Sequence, residues 1–171
     1  MLKAIGSKKD LTDSVFHEMI RDLLERDEVI ELDSIVHHHV TTRLQHSINV
    51  AYYNYLLCRL LRLDTLSAAR AGLLHDLFYY VPKDYVRHKG EKFHNGRHPL
   101  IACENAEAIF PLSGLERDII LKHMWPMTLK LPRHRESFVI VAVDKYCAVL
   151  EFTILNASRL KKAVKTHRRS A

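Results

Sequence analysis

The chain has 171 residues, nearly half of them apolar, with only five glycines and five prolines. This length suits one domain with its own core, and the composition excludes a disordered or fibrous protein. Six basic residues and no acidic residue fall within 157–171, and removing those six from the total of 26 leaves 20 basic residues against 20 acidic ones. The rest of the chain, residues 1–156, therefore has no net charge, so a general nucleic-acid surface is not indicated. We interpret the basic tail, residues 157–171, as a solvated helix end.

The hydrophobic periodicity along the chain predicts helices throughout and no region of sustained alternation. In chain order, the predicted helices are residues 11–26, 43–63, 65–80 (beginning at Thr65 or Ser67), 99–110, 113–124 and 136–155. Thr12 or Asp13 is expected to cap the first helix, Pro82 to end the third, and Pro99 to open the fourth. The second helix is apolar nearly all round, so we expect it to be central.

Polar stretches between these helices predict the loops. One loop contains His37, His38 and His39; residues 83–97 form another that could border a pocket; and a third runs to about Arg135. We therefore expect an all-α bundle of about six to eight helices in a single domain, residues 1–171, with a core at about 35–155. The amino-terminal helix, about 11–26, could cap the domain or form a dimer contact, and composition does not determine the oligomeric state.

Three cysteines, Cys58, Cys103 and Cys147, are far apart and form no CxxC pair. An odd, scattered set predicts buried, reduced thiols and a cytoplasmic protein. The first ten residues lack the apolar core of a secretory signal, and no apolar run approaches the length of a membrane span.

Several charged or polar residues fall where a core helix should be apolar. Asp144 lies within FVIVAVDKYCAVLEF, the pair His75-Asp76 lies between AGLL and LFYY, and His46 lies in the central helix. A buried carboxylate is costly unless it is paired, hydrogen-bonded or bound to a metal. Imidazole and carboxylate together suit Mn, Fe, Zn, Co or Ni better than Ca.

The ordered set of His46, the His75-Asp76 pair in LLHDL, and Asp144 after an apolar run resembles the HD superfamily of metal-dependent phosphohydrolases. The resemblance covers roughly residues 35 to 155. His98 and His123 fall where the small dinuclear branch of that family has two further histidines. The similarity implies one ion on His46, His75, Asp76 and Asp144, and a second on His98 and His123 with Asp76 bridging. His94 is the main rival to His98, and His37 to His39 are more distant ones.

This resemblance implies cleavage of a phosphoester or phosphoanhydride bond in a small, nucleotide-like substrate by a metal-activated hydroxide. The divalent ions, two by this resemblance, would be Fe, Mn, Ni, Co, Zn or Mg. LFYY after the HD pair and MWPM after His123 depart from the motifs of guanosine tetraphosphate hydrolases and cyclic-diguanylate phosphodiesterases. The chain also differs from deoxynucleoside triphosphate triphosphohydrolases, so no particular substrate is implied.

Further side chains near these motifs could serve the reaction. Asp76 and Lys145 are the candidate catalytic residues, Lys145 because phosphate requires a nearby cation. Glu104 on the His98 helix could orient a ligand imidazole. The candidate phosphate, base or sugar contacts are Lys122, Arg97, Lys83, Arg43, Tyr79, Tyr80 and Trp125.

Three other functions are compatible with this pattern. Inositol oxygenase and related enzymes use a similar dinuclear iron site on this fold, so oxygen consumption would distinguish oxidation from hydrolysis. A non-catalytic HD module would bind nucleotide without turnover. A nucleic-acid role of the tail would give steeply salt-dependent binding that is lost on deleting residues 157–171.

Overall fold

The computed structural model describes residues 1–12, 14–37, 41–81 and 93–170. Within these ranges the chain forms an all-α bundle with one two-residue strand pair. The helices are α1 (Val15–Leu24), α2 (Asp27–Ile30), α3 (Arg43–Leu60), α4 (Thr65–Leu74), α5 (His94–Ile109), α6 (Gly114–Lys122) and α7 (Arg135–Ser170). A 3₁₀ turn (Glu31–Ser34) precedes the antiparallel strands β1 (Val36–His37) and β2 (Thr41–Thr42), in which Val36 pairs with Thr42.

Helix α3 is the centre of the bundle, as its all-round apolar sequence predicts. The Thr42 hydroxyl caps it by accepting from Gln45 N at 3.2 Å. Its buried positions occur on every side of the helix, and α4 and α7 both pack against it. Polar residues among these positions, including His46 and Asn49, are therefore held within the core.

The contact between α3 and α4 depends on Gly72. A Cβ atom at this position would lie 2.8 Å from Ala51 Cα and 3.2 Å from Ala51 N. The two backbones can approach this closely only because Gly72 has no side chain. This approach places the end of α4 directly beside α3.

Helix α1 packs against α3 and α4. Its buried residues are Phe16, Ile20 and Leu23, and the Phe16 ring packs edge-on against Tyr52 with 5.3 Å between centroids. The cap of this helix is Ser14, whose Oγ accepts from His17 N at 3.2 Å. The prediction of Thr12 as the cap is wrong because its hydroxyl donates to Asp10 instead. The alternative cap, Asp13, lies outside the described residues.

Several predicted helix boundaries differ from the structure, three of them by five residues or more. Helix α4 ends at Leu74 instead of Tyr80, and α5 begins at His94 instead of Pro99. The first turn of α5 closes early because the Phe93 carbonyl accepts from the N–H groups of Gly96 and Arg97, at 2.8 and 3.0 Å. Pro99 is therefore an interior residue of α5. The last helix, α7, runs fifteen residues beyond the predicted end at Leu155, through the basic tail to Ser170.

The remaining expectations about the core concern cysteines and membranes. Cys58, Cys103 and Cys147 are all buried free thiols, as predicted. Burial raises the pKa of the Cys58 thiol to about 12, which keeps it protonated at neutral pH. Across the described ranges, no helix has both the length and the apolar character that crossing a bilayer requires.

Candidate metal centre

The six residues singled out as ligands come from five parts of the fold. The structure brings together His46 of α3, His75 and Asp76 just after α4, His98 of α5, His123 just after α6, and Asp144 of α7. All four imidazoles are almost completely buried. Their convergence turns a pattern dispersed over nearly a hundred residues of chain into one cluster.

One half of the cluster lies around the carboxylate of Asp144. The distance from its Oδ1 is 3.2 Å to His46 Nε2 and 3.8 Å to His75 Nε2. His75 Nε2 is in turn 4.0 Å from Asp76 Oδ1. His46, His75 and Asp76 each offer a ligand atom, and these three atoms lie within 4.8 Å of one another.

The other half of the cluster lies around Asp76. Its Oδ1 is 3.4 Å from His98 Nε2 and 3.7 Å from His123 Nε2. The two imidazole nitrogens are 2.9 Å apart, and all three ligand atoms again lie within 4.8 Å of one another. Asp76 thus belongs to both halves, which is the arrangement that a bridging carboxylate requires.

Each imidazole is oriented by a hydrogen bond from its other ring nitrogen. For His46 the acceptor is the carboxylate of Glu151, with Nδ1–O distances of 3.0 and 3.1 Å. The acceptors for the other three are main-chain carbonyl oxygens: Gly72 O at 2.8 Å from His75 Nδ1, His94 O at 3.0 Å from His98 Nδ1, and Ile120 O at 2.7 Å from His123 Nδ1. These bonds leave every Nε2 directed at the centre. In metal sites, too, a ligand imidazole usually donates from its other ring nitrogen to a carboxylate or a carbonyl.

The close pair His98 and His123 supplies a test of whether a cation fits. A carbonyl oxygen only accepts, so each Nδ1 must carry a proton, and the neutral rings then face each other with bare Nε2 lone pairs. Protonating one ring would relieve the repulsion, but burial and the neighbouring histidines lower the pKa of His123 to about 3. Burial also lowers the pKa of His98. A bound cation satisfies both nitrogens at once, so these residues fit a metal.

The half around Asp144 contains charged groups, whereas the His98–His123 pair is neutral. Burial disfavours an ionised carboxylate, but the neighbouring imidazoles of His46 and His75 outweigh it and hold the pKa of Asp144 well below its usual value. Burial also disfavours a charged His46, yet Asp144 and Glu151 together raise the pKa of His46 to about 10. Negative charge therefore dominates here, and a divalent cation can take the place of the proton.

Adjacent His75 and Asp76 lie in the turn that follows α4. Because α4 ends at Leu74, the chain leaves the helix at His75 and bends, with Phe78 N donating to Asp76 O at 2.8 Å. His75 itself keeps helical dihedral angles, φ −60° and ψ −29°, and its Nε2 lies 4.0 Å from Asp76 Oδ1.

Arg43 holds this turn in place and does not face solvent. Its guanidinium is fully buried, donates to the carbonyls of Phe78 and Tyr80, and lies 3.7 Å from the centroid of the Phe78 ring. Burial lowers the pKa of Arg43. This environment argues against its predicted role as a phosphate contact. The amide of Asn105, which the sequence did not indicate, donates to Leu77 O at 2.8 Å and fastens the same turn.

The other candidate cations have varied surroundings. Lys122 is tied to its own loop, since Nζ donates to Leu131 O at 2.9 Å. Lys145 is exposed, and its ammonium reaches Val141 O at 3.1 Å and Trp125 O at 3.4 Å. Arg97 is half-buried on α5, and Lys83 lies outside the described residues.

The candidate aromatic residues have different surroundings. Tyr80 donates or accepts at His94 Nδ1, 3.0 Å away, while Tyr79 is partly exposed and its hydroxyl donates to Glu28 O at 3.3 Å. Trp125 packs edge-on against Phe138, with 5.8 Å between centroids. Of these three, Tyr80 has the most direct link to the cluster.

His94, the rival of His98, lies beside the cluster without joining either ligand group among the described residues. Its ring stacks on that of His98 with 4.6 Å between centroids. Burial and the neighbouring His98 lower the pKa of His94 to about 4, so it is neutral at physiological pH. The side chains of His37, His38 and His39 lie outside the described residues.

The carboxylate that orients an imidazole is Glu151, and the prediction of Glu104 for this role is wrong. Glu104 is exposed on α5, and the His98 ring is oriented by a main-chain carbonyl instead. Glu151 is completely buried, with Asn49 Nδ2 donating to its Oε1 at 2.7 Å. One signal could have found it: Glu151 follows Asp144 by seven residues, which places both on the same face of an apolar helix.

A model of the HD domain family matches residues 43–149 of the chain. Comparisons with curated proteins and with solved structures gave no match. The matched range includes all six converging residues, and it ends before Glu151.

Proposed function

Because the chain belongs to the HD domain family, whose members are generally metal-dependent hydrolases, we propose that it is a phosphohydrolase. The proposed substrate is small and nucleotide-like, and the bond cleaved is a phosphoester or phosphoanhydride. The observation that carries this proposal is the sharing of Asp76 by two groups of buried ligand atoms. A pair of divalent ions is the arrangement that phosphoryl chemistry uses most directly.

The residues divide between two proposed ion positions, which we name by their histidines. His46, His75, Asp76 and Asp144 would hold the ion of the His46 position. His98, His123 and the shared Asp76 would hold the ion of the His98 position. When bound, such ions activate water and neutralise charge on phosphate oxygens.

The chain's own contribution is orientation and charge. The Nδ1 hydrogen bonds fix the direction of each imidazole, and Asp144 stays ionised because the imidazoles of His46 and His75 lie beside it. Lys145 remains the candidate cation for a phosphate group, since it is one residue from Asp144, is exposed, and pairs with main-chain carbonyls and with no carboxylate among the ion pairs of the described residues. The neutral imidazole of His94 and the hydroxyl of Tyr80 could line the same side of the substrate.

The test of this proposal is metal-dependent phosphate release by Asp76→Ala and Asp144→Ala variants. Each removes a carboxylate from the cluster, so turnover should fall by at least about a hundredfold, as the loss of several kcal/mol of charge stabilisation implies. Parent and variants would be assayed with Mn, Fe, Ni, Co and Mg on nucleotides, dinucleoside polyphosphates and phosphomonoesters. Circular dichroism should show unchanged helical content.

Asp27→Ala is the matched control, because Asp27 is an exposed carboxylate at the start of α2. It should retain parental turnover. Phosphate release by both cluster variants at the parental rate would refute the proposal. Oxygen consumption by the iron-loaded parent, with no anaerobic phosphate release, would instead identify an oxygenase.

A further inference from the structure

Glu151 is a completely buried carboxylate that the family match does not include. Both its oxygens face His46 Nδ1, at 3.0 and 3.1 Å, on the side of the ring opposite Asp144. His46 thus lies between two carboxylates of α7, one at each ring nitrogen. Asp144 is near the nitrogen that faces the cluster, whereas Glu151 is near the nitrogen that faces away from it.

We propose that Glu151, together with Asn49, is a positioning pair that orients His46 and strengthens it as a ligand of the His46 position. The inference rests on the proposed function. A carboxylate that accepts from the far nitrogen of a ligand imidazole fixes its tautomer and raises its basicity. Neither residue would touch substrate.

Asn49 sets the orientation of the Glu151 carboxylate. Its side-chain oxygen accepts from Ile5 N and from Gln45 Nε2, both at 2.9 Å, so its amide nitrogen must face Glu151. That nitrogen donates to Glu151 Oε1 at 2.7 Å. The hydrogen bonds therefore run in one direction, from the amino-terminal segment through Asn49 to Glu151.

The environment of His46 differs from that of the other three imidazoles. His75, His98 and His123 donate to neutral main-chain carbonyls, whereas His46 donates to a carboxylate. An additional negative charge near one ion position favours a cation there and does less for the other. The His46 position should therefore bind its ion more tightly than the His98 position.

The experiment is a calorimetric titration of metal-free protein with Mn²⁺, comparing the parent with Glu151→Gln. The amide is similar in size but neutral, so it removes the negative charge behind His46, and its NH₂ group cannot accept from His46 Nδ1 as the second carboxylate oxygen does. The affinity of the tighter ion should fall by about 10- to 100-fold, the usual effect of losing such a partner, while the weaker ion is little changed. The control Glu25→Gln removes an exposed carboxylate and should leave both affinities unaltered.

Two additional variants keep the inference testable if Glu151→Gln does not fold. Glu151→Asp retains the charge at a longer distance and should recover part of the affinity, and Asn49→Ala should weaken the same ion by a smaller factor. In the zinc-loaded parent, ring ¹⁵N resonances should place the His46 proton on Nδ1. Variants that lose only thermal stability and keep the parental Mn²⁺ affinities would overturn the inference, because a merely structural role predicts that result.

The outcome for the parent separates the two proposals. If the parent binds Mn²⁺ and Glu151→Gln binds it equally well, the positioning pair is refuted and the proposed function stands. If the parent binds no divalent ion, the proposed function itself is refuted, and the inference is refuted with it.

Discussion

The imidazole of His98 shows how much a single side chain depends on atoms that the sequence does not reveal. Its Nε2 lies 2.9 Å from that of His123 because two main-chain carbonyls hold both rings in one tautomer. The pair therefore fits a cation, which would take up both lone pairs. The carbonyls that orient the rings exist only because α5 and α6 place them there.

His98→Ala should reduce the number of bound Mn²⁺ ions from two to one. The reason is that the His98 position would retain only His123 and the shared Asp76, while the His46 position keeps all its residues. Elemental analysis of the purified variant, together with a Mn²⁺ titration, measures this stoichiometry. An unchanged value of two would refute the assignment of the second position.

Helix α4 shows how tertiary contacts decide where an element ends. The periodicity of residues 65–80 favours one helix, yet it stops at Leu74. The carbonyls of Leu77, Phe78 and Tyr80 are bonded by Asn105 and Arg43, which lie on other helices. These bonds replace those that a continued helix would make, and they shape the turn that carries His75 and Asp76.

Gly72→Ala should destabilise the protein even though alanine is the better helix former. The gain in helix propensity is about 1 kcal/mol, whereas overpacking costs about 1–3 kcal/mol. The clash is with the backbone of Ala51, 2.8 Å from the new Cβ, and backbone atoms cannot rotate away. Overpacking should therefore outweigh the gain in helix propensity. Urea denaturation of parent and variant measures the resulting change in the free energy of unfolding.

Gly114→Ala is the control for this comparison, because a Cβ at Gly114 meets no atom within 4 Å. It should be neutral or slightly stabilising. Equal stability changes in the two variants would show that the α3–α4 approach is not tight.

The cluster connects the helices of the bundle, because the six residues of the cluster come from five different parts of the chain. Binding of a cation there would favour the folded state, since an unfolded chain cannot assemble the same site. The stabilisation expected from one ion is about 2.7 kcal/mol at a metal concentration a hundred times the Kd.

Mn²⁺ should therefore raise the melting temperature of the parent, and a chelator should reverse the increase. Asp76→Ala should show little of this shift, because Asp76 belongs to both ligand groups. Differential scanning calorimetry with and without Mn²⁺ gives the comparison. A shift of equal size in parent and variant would mean that the ion binds elsewhere.

The all-α class, the central position of α3, the buried thiols and the set of polar residues that converge could all be predicted from the amino-acid sequence. The class, the central helix and the buried thiols follow from local periodicity, and the cost of burying charge singles out His46, His75, Asp76 and Asp144. His98 and His123 were identified only through the resemblance to the HD superfamily. That the six residues bind metal stays a prediction. Helix ends were predicted less well, because capping at Ser14 and the early closure of α5 depend on individual hydrogen bonds.

Tertiary structure alone decided which side chains support the cluster. Glu151 and Glu104 are both glutamates within long helices, yet one is buried behind His46 and the other is exposed. Arg43 resembled a phosphate contact and instead fastens the turn after α4. The physical reason is that a partner's identity depends on which helices pack together, and residues as distant as His46 and Glu151 meet only after the chain has folded.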